Sequence, residues 1–302
     1  MESVLEFGPG GRIIGILTHT HPAEDRSRVP AIVITNSGII HRAGANRLHV
    51  RLARLLARHG YPTLRYDLPG IGDSEVIPGT ADIRQMNLDA TRSGFDKLER
   101  LGVAQSFIMV GLCSGADHSF AVTAVDSRVV GAVLIDPTAI VATRRHRINQ
   151  LLGAAARGLR PRTWWRLVRG QYDVRRMVRQ RSIEAHRVGV PVSLSNDPAD
   201  ERRGLVAGAL QAMIERAVRL QFVITGHNRE VYSYPDQIFD AFPELSGLRE
   251  TVTVALRPSA THTFSDETDR RFLDQLLVRW LQSFGSPSTP RSSTDSSAVA
   301  IP

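Results

Sequence analysis

The residue type and spacing best suited to chemistry occur at Cys113, the only cysteine of the chain, within Gly111-Leu-Cys-Ser-Gly115. A hydrophobic run, 107–110, leads into it and a helix-like stretch follows. This order is typical of a sharp strand-to-helix turn that lifts one nucleophile above a sheet, with glycines where side chains would clash. The start of a helix favours an anion, so we expect a reactive thiolate. The alternative is that Cys113 is a small buried filler in a tight junction.

A base for this nucleophile is available at His262, between the last predicted strand and the last predicted helix. Its imidazole could accept the Cys113 proton and later protonate a leaving group. An orienting carboxylate is expected at the end of a preceding strand, and two residues compete for that role. Glu230 is the first choice, and Asp136 is the second, with the shaping of a turn before Pro137 as its alternative role.

The elements that position these residues alternate between short apolar runs and stretches of helical spacing, which predicts an α/β fold with a mainly parallel sheet and helices on both faces. The predicted strands are 12–19, 31–36, 63–66, 106–110, 129–135, 220–225 and 251–256. Four helices are predicted. The first begins at Leu48 and ends near Gly60, and the second and third cover 81–101 and 116–125. The last carries an apolar stripe that ends at Leu281, and Ser265 is its expected N-cap.

The pattern changes after Asp136, where residues 137–219 are helix-like and rich in arginine. We therefore assign 1–136 and 220–285 to the α/β core and 137–219 to a helical cap. An insertion at this point lies above the carboxyl ends of the strands, where open α/β sheets bind ligands. Residues 286–302 are mostly Ser, Thr and Pro and predict a disordered tail.

Several stretches resemble the α/β-hydrolase superfamily, in particular its small cytosolic members with a serine-aminopeptidase-like core. The run from Ile34 to Ile39 is similar to the strand and oxyanion loop usually written His-Gly-x, with Ser37 in place of the histidine. The run Asp67-Leu-Pro-Gly-Ile-Gly-Asp-Ser74 is similar to a structural turn of the family. With the Gly-x-Cys-x-Gly run and the catalytic-type histidine, the resemblance covers about residues 31–285. It implies that the N–H groups of Ile39 and Ser114 hold the oxyanion.

A narrower resemblance rests on Gly38-Ile-Ile-His-Arg42, Gly111–Ala116 and His262-Thr-Phe, which together are similar to hydrolases associated with bacterial exosortase and exopolysaccharide systems. A cysteine at the turn is also found in dienelactone hydrolases, although the surrounding sequence is less similar to them. The chain departs from the common pattern at Asn228 and Arg229, which stand where the acid after the penultimate strand usually lies.

The composition restricts the other classes of function. The hydrophobic content is 42%, no run of 18 apolar residues is present, and the acidic, polar amino terminus does not predict a secretory signal. A single cysteine cannot form an internal disulfide, so we expect a cytoplasmic protein. No cofactor is predicted. The pair His19 and His21 lacks further metal ligands, and the glycines at 70 and 72 lack the third glycine of a dinucleotide-binding turn.

The net charge of +8 is concentrated in one segment, 143–187, which holds thirteen arginines against Asp173 and Glu184. The simplest interpretation is a solvated helical surface. Alternatives are docking of an acidic acyl carrier protein, or contact with an anionic membrane through Trp164 and Trp165. No recognised module supports binding of nucleic acid.

Together these features predict an acyl ester or thioester hydrolase, or a related acyltransferase, with an acyl-cysteine intermediate on Cys113. The substrate would be a small-molecule ester or thioester. The alternative is a hydrolase-fold binding protein whose active site has degenerated, which the displaced acid and the missing histidine at Ser37 favour.

Overall fold

The computed structural model describes residues 1–20, 29–79, 82–138 and 198–284. Its centre is an eight-stranded sheet in the order β1-β2-β4-β3-β5-β6-β7-β8. The pairings of β2 with β1 and with β4 are antiparallel, and the other pairs are parallel. The strands are β1 (Glu2–Phe7), β2 (Ile13–Thr18), β3 (Ala31–Ile34), β4 (Thr63–Tyr66), β5 (Phe107–Leu112), β6 (Val129–Ile135), β7 (Arg219–Thr225) and β8 (Val252–Arg257).

Helices cover both faces of the sheet, as the alternation in the sequence predicted. They are α1 (Leu48–Arg58), α2 (Ile83–Arg100), α3 (Ser114–Val125), α4 (Pro198–Glu215), α5 (Gln237–Ala241), α6 (Leu248–Thr251) and α7 (Glu267–Gln282). Helices α1 and α7 contribute leucines to one buried cluster, and α2, α3 and α4 contribute to the other. The central strands β5 and β6 are almost fully buried, which explains their uninterrupted apolar sequences.

Helix α4 falls within the range predicted as a cap, yet its Leu210 and Met213 are buried in the main core beside α3. The last part of the 137–219 segment therefore belongs to the layer that covers the sheet. Residues 139–197, which carry the arginine-rich segment, and the predicted tail lie outside the described residues. None of the helices within the described ranges is long and apolar enough to span a bilayer.

One local expectation was wrong. The N-cap of α7 is Asp266 rather than Ser265, since the Asp266 carboxylate accepts a hydrogen bond from the Thr268 N–H at 2.8 Å. On α1, His49 is buried, and desolvation lowers its pKa to about 4.

Candidate active site

Cys113 lies at the apex of the turn between β5 and α3. Its backbone has a φ of 56° and a ψ of −123°, a conformation that costs an L-residue on the order of 1–3 kcal/mol. The turn is held by its backbone, because the Cys113 carbonyl accepts from the N–H groups of Ala116 and Asp117, and the Cys113 N–H donates to Ile135. Cys113 is partly exposed and packs against one edge of the buried cluster that α1 and α7 share.

The glycines on either side of the turn are required by close backbone approaches. A Cβ on residue 111 would lie 2.1 Å from the carbonyl oxygen of Gly115. A Cβ on Gly115 would lie 2.7 Å from the carbonyl oxygen of Asn36, in the loop after β3. The small-x-Cys-x-small pattern therefore reflects tight packing of the turn against itself and against the neighbouring loop.

His262 lies in the loop between β8 and α7 and faces two candidate partners. Its Nδ1 is 2.8 Å from the Asp136 carboxylate, a contact in which the imidazole N–H donates. The pKa of His262 is raised to about 9. The hydrogen bond with Asp136 is the largest cause, and the interaction with the Cys113 side chain is the second largest. Since Nδ1 is occupied by the carboxylate, Nε2 is the nitrogen left for the sulfur.

Asp136 is the acid that the structure brings to His262. It follows β6, has a φ of 47° and is buried. Its carboxylate accepts hydrogen bonds from the Thr225 N–H at 2.7 Å and the Thr225 hydroxyl at 2.6 Å, at the end of β7. These two hydrogen bonds hold the carboxylate in the orientation in which it accepts from the imidazole. Glu230, the first choice from the sequence, ends a short 3-10 turn, and its side chain lies outside the described atoms.

The predicted oxyanion residues lie on two segments that are hydrogen-bonded to each other. Ser114 is the first residue of α3, and Ile39 lies in the loop after β3, with a side chain that is 91% exposed. The Gly38 N–H donates to Ser114 Oγ at 2.7 Å, and the Ser37 hydroxyl donates to the Leu112 carbonyl at 2.6 Å. Ser37 thus secures the loop to the end of β5, at the position where the family's histidine usually stands.

The turn from Asp67 to Ser74 supports this loop from behind. The Arg42 guanidinium forms ion pairs with Asp67 and Asp73, and the Arg42 N–H donates to Asp67 at 2.5 Å. A Cβ on Gly72 would overlap the Asp67 carboxylate. His41 Nε2 lies 3.6 Å from both carboxylates, whose combined charge the single Arg42 guanidinium offsets by half. These contacts connect the turn from Asp67 to Ser74 with the loop after β3.

Sequence reasoning missed a second imidazole at the site. The rings of His227 and His262 have centroids 4.6 Å apart and an interplanar angle of 40°. Asn228, the next residue, donates from its side-chain amide to the Pro137 carbonyl at 3.1 Å. The loop after β7 carries the acid in the common pattern. Here the same loop contacts the ring of His262 through His227 and the backbone after Asp136 through Asn228. The only signal in the sequence was the absence of an acid at this place.

Comparison with solved structures identifies the architecture. The chain matches Est1E from Butyrivibrio proteoclasticus with a TM-score of 0.56 at 12% identity, over 93% of this chain and 98% of that one. The α/β hydrolase GrgF from Penicillium sp. sh18 gives 0.56 at 17% identity, over 94% and 98%. This chain has the α/β-hydrolase fold. The predicted fold class is therefore confirmed.

A third match is XC6422 from Xanthomonas campestris, described as an α/β serine hydrolase without a lid, with a TM-score of 0.52 at 15% identity over 96% of this chain and 97% of that one. No family model and no curated protein sequence matches the chain. At these identities the comparisons establish the fold, and the chemistry must be argued from the site residues themselves.

Proposed function

We propose that the protein is an acyl ester or thioester hydrolase, or a related acyltransferase, that forms an acyl-cysteine on Cys113. The observation that carries this proposal is the position of His262, which is hydrogen-bonded to the buried Asp136 carboxylate at 2.8 Å and lies close enough to the Cys113 side chain for that side chain to raise the pKa of the imidazole. A nucleophile, a base and an orienting acid from three separate loops meet in this order. A buried filler cysteine would not require such partners.

In the first step the Cys113 sulfur, its proton held by His262 Nε2, attacks the substrate carbonyl carbon. The carbonyl oxygen becomes an oxyanion, which the N–H groups of Ile39 and Ser114 stabilise. The intermediate collapses with cleavage of the bond to the leaving alcohol or thiol, and His262 returns the proton to that group. The product of this step is an acyl-cysteine and a free leaving group.

In the second step His262 accepts a proton from water as the water oxygen attacks the thioester carbonyl. Collapse releases the carboxylic acid, and the sulfur leaves and regains its hydrogen bond with the protonated histidine. An amine or alcohol in place of water gives an acyltransferase by the same proton movements. Asp136 keeps Nδ1 protonated and directs Nε2 toward the sulfur throughout both steps.

The test measures the intact mass of the protein after mixing with a panel of activated esters and thioesters. An increase equal to one acyl group, located on Cys113 by peptide mapping and absent from Cys113→Ala, supports the proposal. The competing function is a binding protein with a degenerate site. A wild type that is never acylated, and whose thiol reacts with iodoacetamide no faster than the thiol of a His262→Ala variant, would favour it.

The finer features of the proposal concern the substrate and the partners. The exosortase-type resemblance, docking of an acyl carrier protein, and membrane contact all depend on residues 143–187 or on sequence similarity alone. A cytoplasmic location is part of the same proposal, because a reactive single thiol persists best in a reducing compartment.

A further inference from the structure

The Ser114 side chain makes a contact that the mechanism above does not use. Its Oγ accepts a hydrogen bond from the Gly38 N–H at 2.7 Å, although the two residues are 76 positions apart in the sequence. We infer that this hydroxyl positions the oxyanion loop, so that the Ile39 N–H faces the carbonyl that Cys113 attacks. The inference rests on the proposed function and adds a positioning role for a side chain.

The loop that Ser114 holds is a tight turn. The Ile40 N–H donates to the Ser37 carbonyl at 3.0 Å, and Gly38, with a φ of 53°, occupies the second position of this four-residue turn. Ile39 therefore stands at the tip of the turn. A hydrogen bond to the residue before the tip controls how the peptide plane of the tip is oriented.

The two ends of the turn have their own attachments. The Ser37 hydroxyl donates to the Leu112 carbonyl, and the Asn36 amide donates to the Ile40 carbonyl at 3.1 Å. Within the part of the chain that the structure describes, Ser114 Oγ is the partner recorded for the Gly38 N–H. The central peptides of the turn are thus fixed relative to the nucleophile by this one side chain, which follows Cys113 directly.

This arrangement also explains why Ser114 is not the nucleophile despite its exposed side chain. Its oxygen accepts from the Gly38 N–H, whereas the imidazole of His262 is hydrogen-bonded to Asp136 and has its pKa raised by the Cys113 side chain. The hydroxyl and the backbone N–H of the same residue would then serve one purpose. The N–H stabilises the oxyanion, and the hydroxyl holds the loop that supplies the other donor.

The test compares two reactions of Cys113 that differ in their need for an oxyanion hole. Acylation by p-nitrophenyl acetate or an S-phenyl thioester passes through an oxyanion. In alkylation by iodoacetamide the thiolate forms a bond to a saturated carbon, the carbon–iodine bond breaks and iodide leaves, so no oxyanion develops. Loss of a whole oxyanion donor costs on the order of 10²–10³-fold, and a misplaced donor costs less. For Ser114→Ala we expect roughly 10–100-fold slower acylation with unchanged alkylation.

Ser114→Thr keeps the acceptor oxygen and is the conservative variant, in which acylation should recover most of what Ser114→Ala loses. Near-ultraviolet circular dichroism and thermal unfolding establish that both variants are folded. Equal acylation by Ser114→Ala and the wild type, or a parallel loss of acylation and alkylation, would overturn the positioning role alone. A wild type that alkylates but is acylated by neither probe would overturn the proposed function, and this inference with it.

Discussion

Replacing Asp136 with asparagine should lower the pKa of His262. The substitution keeps a side-chain oxygen that can accept from the Thr225 N–H, but it removes the negative charge that lies 2.8 Å from Nδ1. That hydrogen bond is the largest cause of the raised pKa of His262, and the contact with Cys113 is the next. The loss of the first should therefore leave the pKa of His262 still partly raised.

The magnitude follows from the pKa values. A rise from 6.5 to about 9 corresponds to roughly 3 kcal/mol of preference for the imidazolium, because a tenfold change in the protonation equilibrium is worth about 1.4 kcal/mol. The His262 side chain is 25% exposed, so solvent screening reduces this free-energy difference. Asp136 accounts for the larger part of it, and the contact with Cys113 accounts for a smaller part. We expect Asp136→Asn to lower the pKa of His262 by about 1–2.

The assay is a pH titration of the histidine ring signals by NMR, with His262→Ala to assign the resonance. Iodoacetamide alkylation of Cys113 at neutral pH provides a second readout. It should slow by about tenfold, because a base whose pKa is lower by about one holds the thiol proton about ten times less strongly. Asp266→Asn is the matched control, because it removes a carboxylate four residues away that caps α7 rather than contacting the imidazole. An unchanged His262 titration in Asp136→Asn would refute the reasoning.

Three further predictions concern the turn, the second imidazole and the pH dependence of stability. Gly111→Ala should lower the free energy of unfolding by about 2 kcal/mol or more, because the new methyl group overlaps the Gly115 backbone; an unchanged midpoint in urea would contradict this. His227→Ala should slow alkylation of Cys113 several-fold, because it removes the ring that packs at a tilt against His262, and His227→Phe should restore the rate; equal rates in both variants would count against this packing role. Because the pKa of His262 is higher in the folded protein, the protonated imidazole stabilises the fold below about pH 6.5, and this stabilisation is lost as the pH rises through about 9. Urea unfolding across this range should show the decrease in stability. The same decrease in a His262→Ala variant would contradict the assignment.

The sequence predicted the sheet well where strands are buried on both sides. The bounds of β4 and β6 agree with prediction to the residue, because each strand is followed directly by an aspartate with a proline close behind it, Asp67 before Pro69 and Asp136 before Pro137. Strand β1 was not assigned separately, since it lies at the edge of the sheet and only alternate residues near its end are buried. Helix α4 was assigned to the cap because the arginine-rich sequence before it obscures the point where the core resumes.

The positions of Cys113 and His262 in the fold were predictable from local signals. Cys113 lies at the strand-to-helix turn that its motif predicted, and His262 lies between the last strand and the last helix, as its place in the sequence predicted. The choice between Glu230 and Asp136 depended on which strand end lies closer to the imidazole, a property of the tertiary fold. The hydrogen bond from Gly38 to Ser114 and the packing of the two histidine rings are contacts between distant segments, and residue spacing does not encode them.

The central claim is that Cys113 carries the acyl group, and mass spectrometry after a brief reaction with an activated thioester tests it most directly. The account predicts one acyl adduct on the peptide that contains Cys113, formed faster in the wild type than in His262→Ala. Acylation of Ser114 instead, or a thiol that is freely alkylated but never acylated by any ester or thioester, would contradict it.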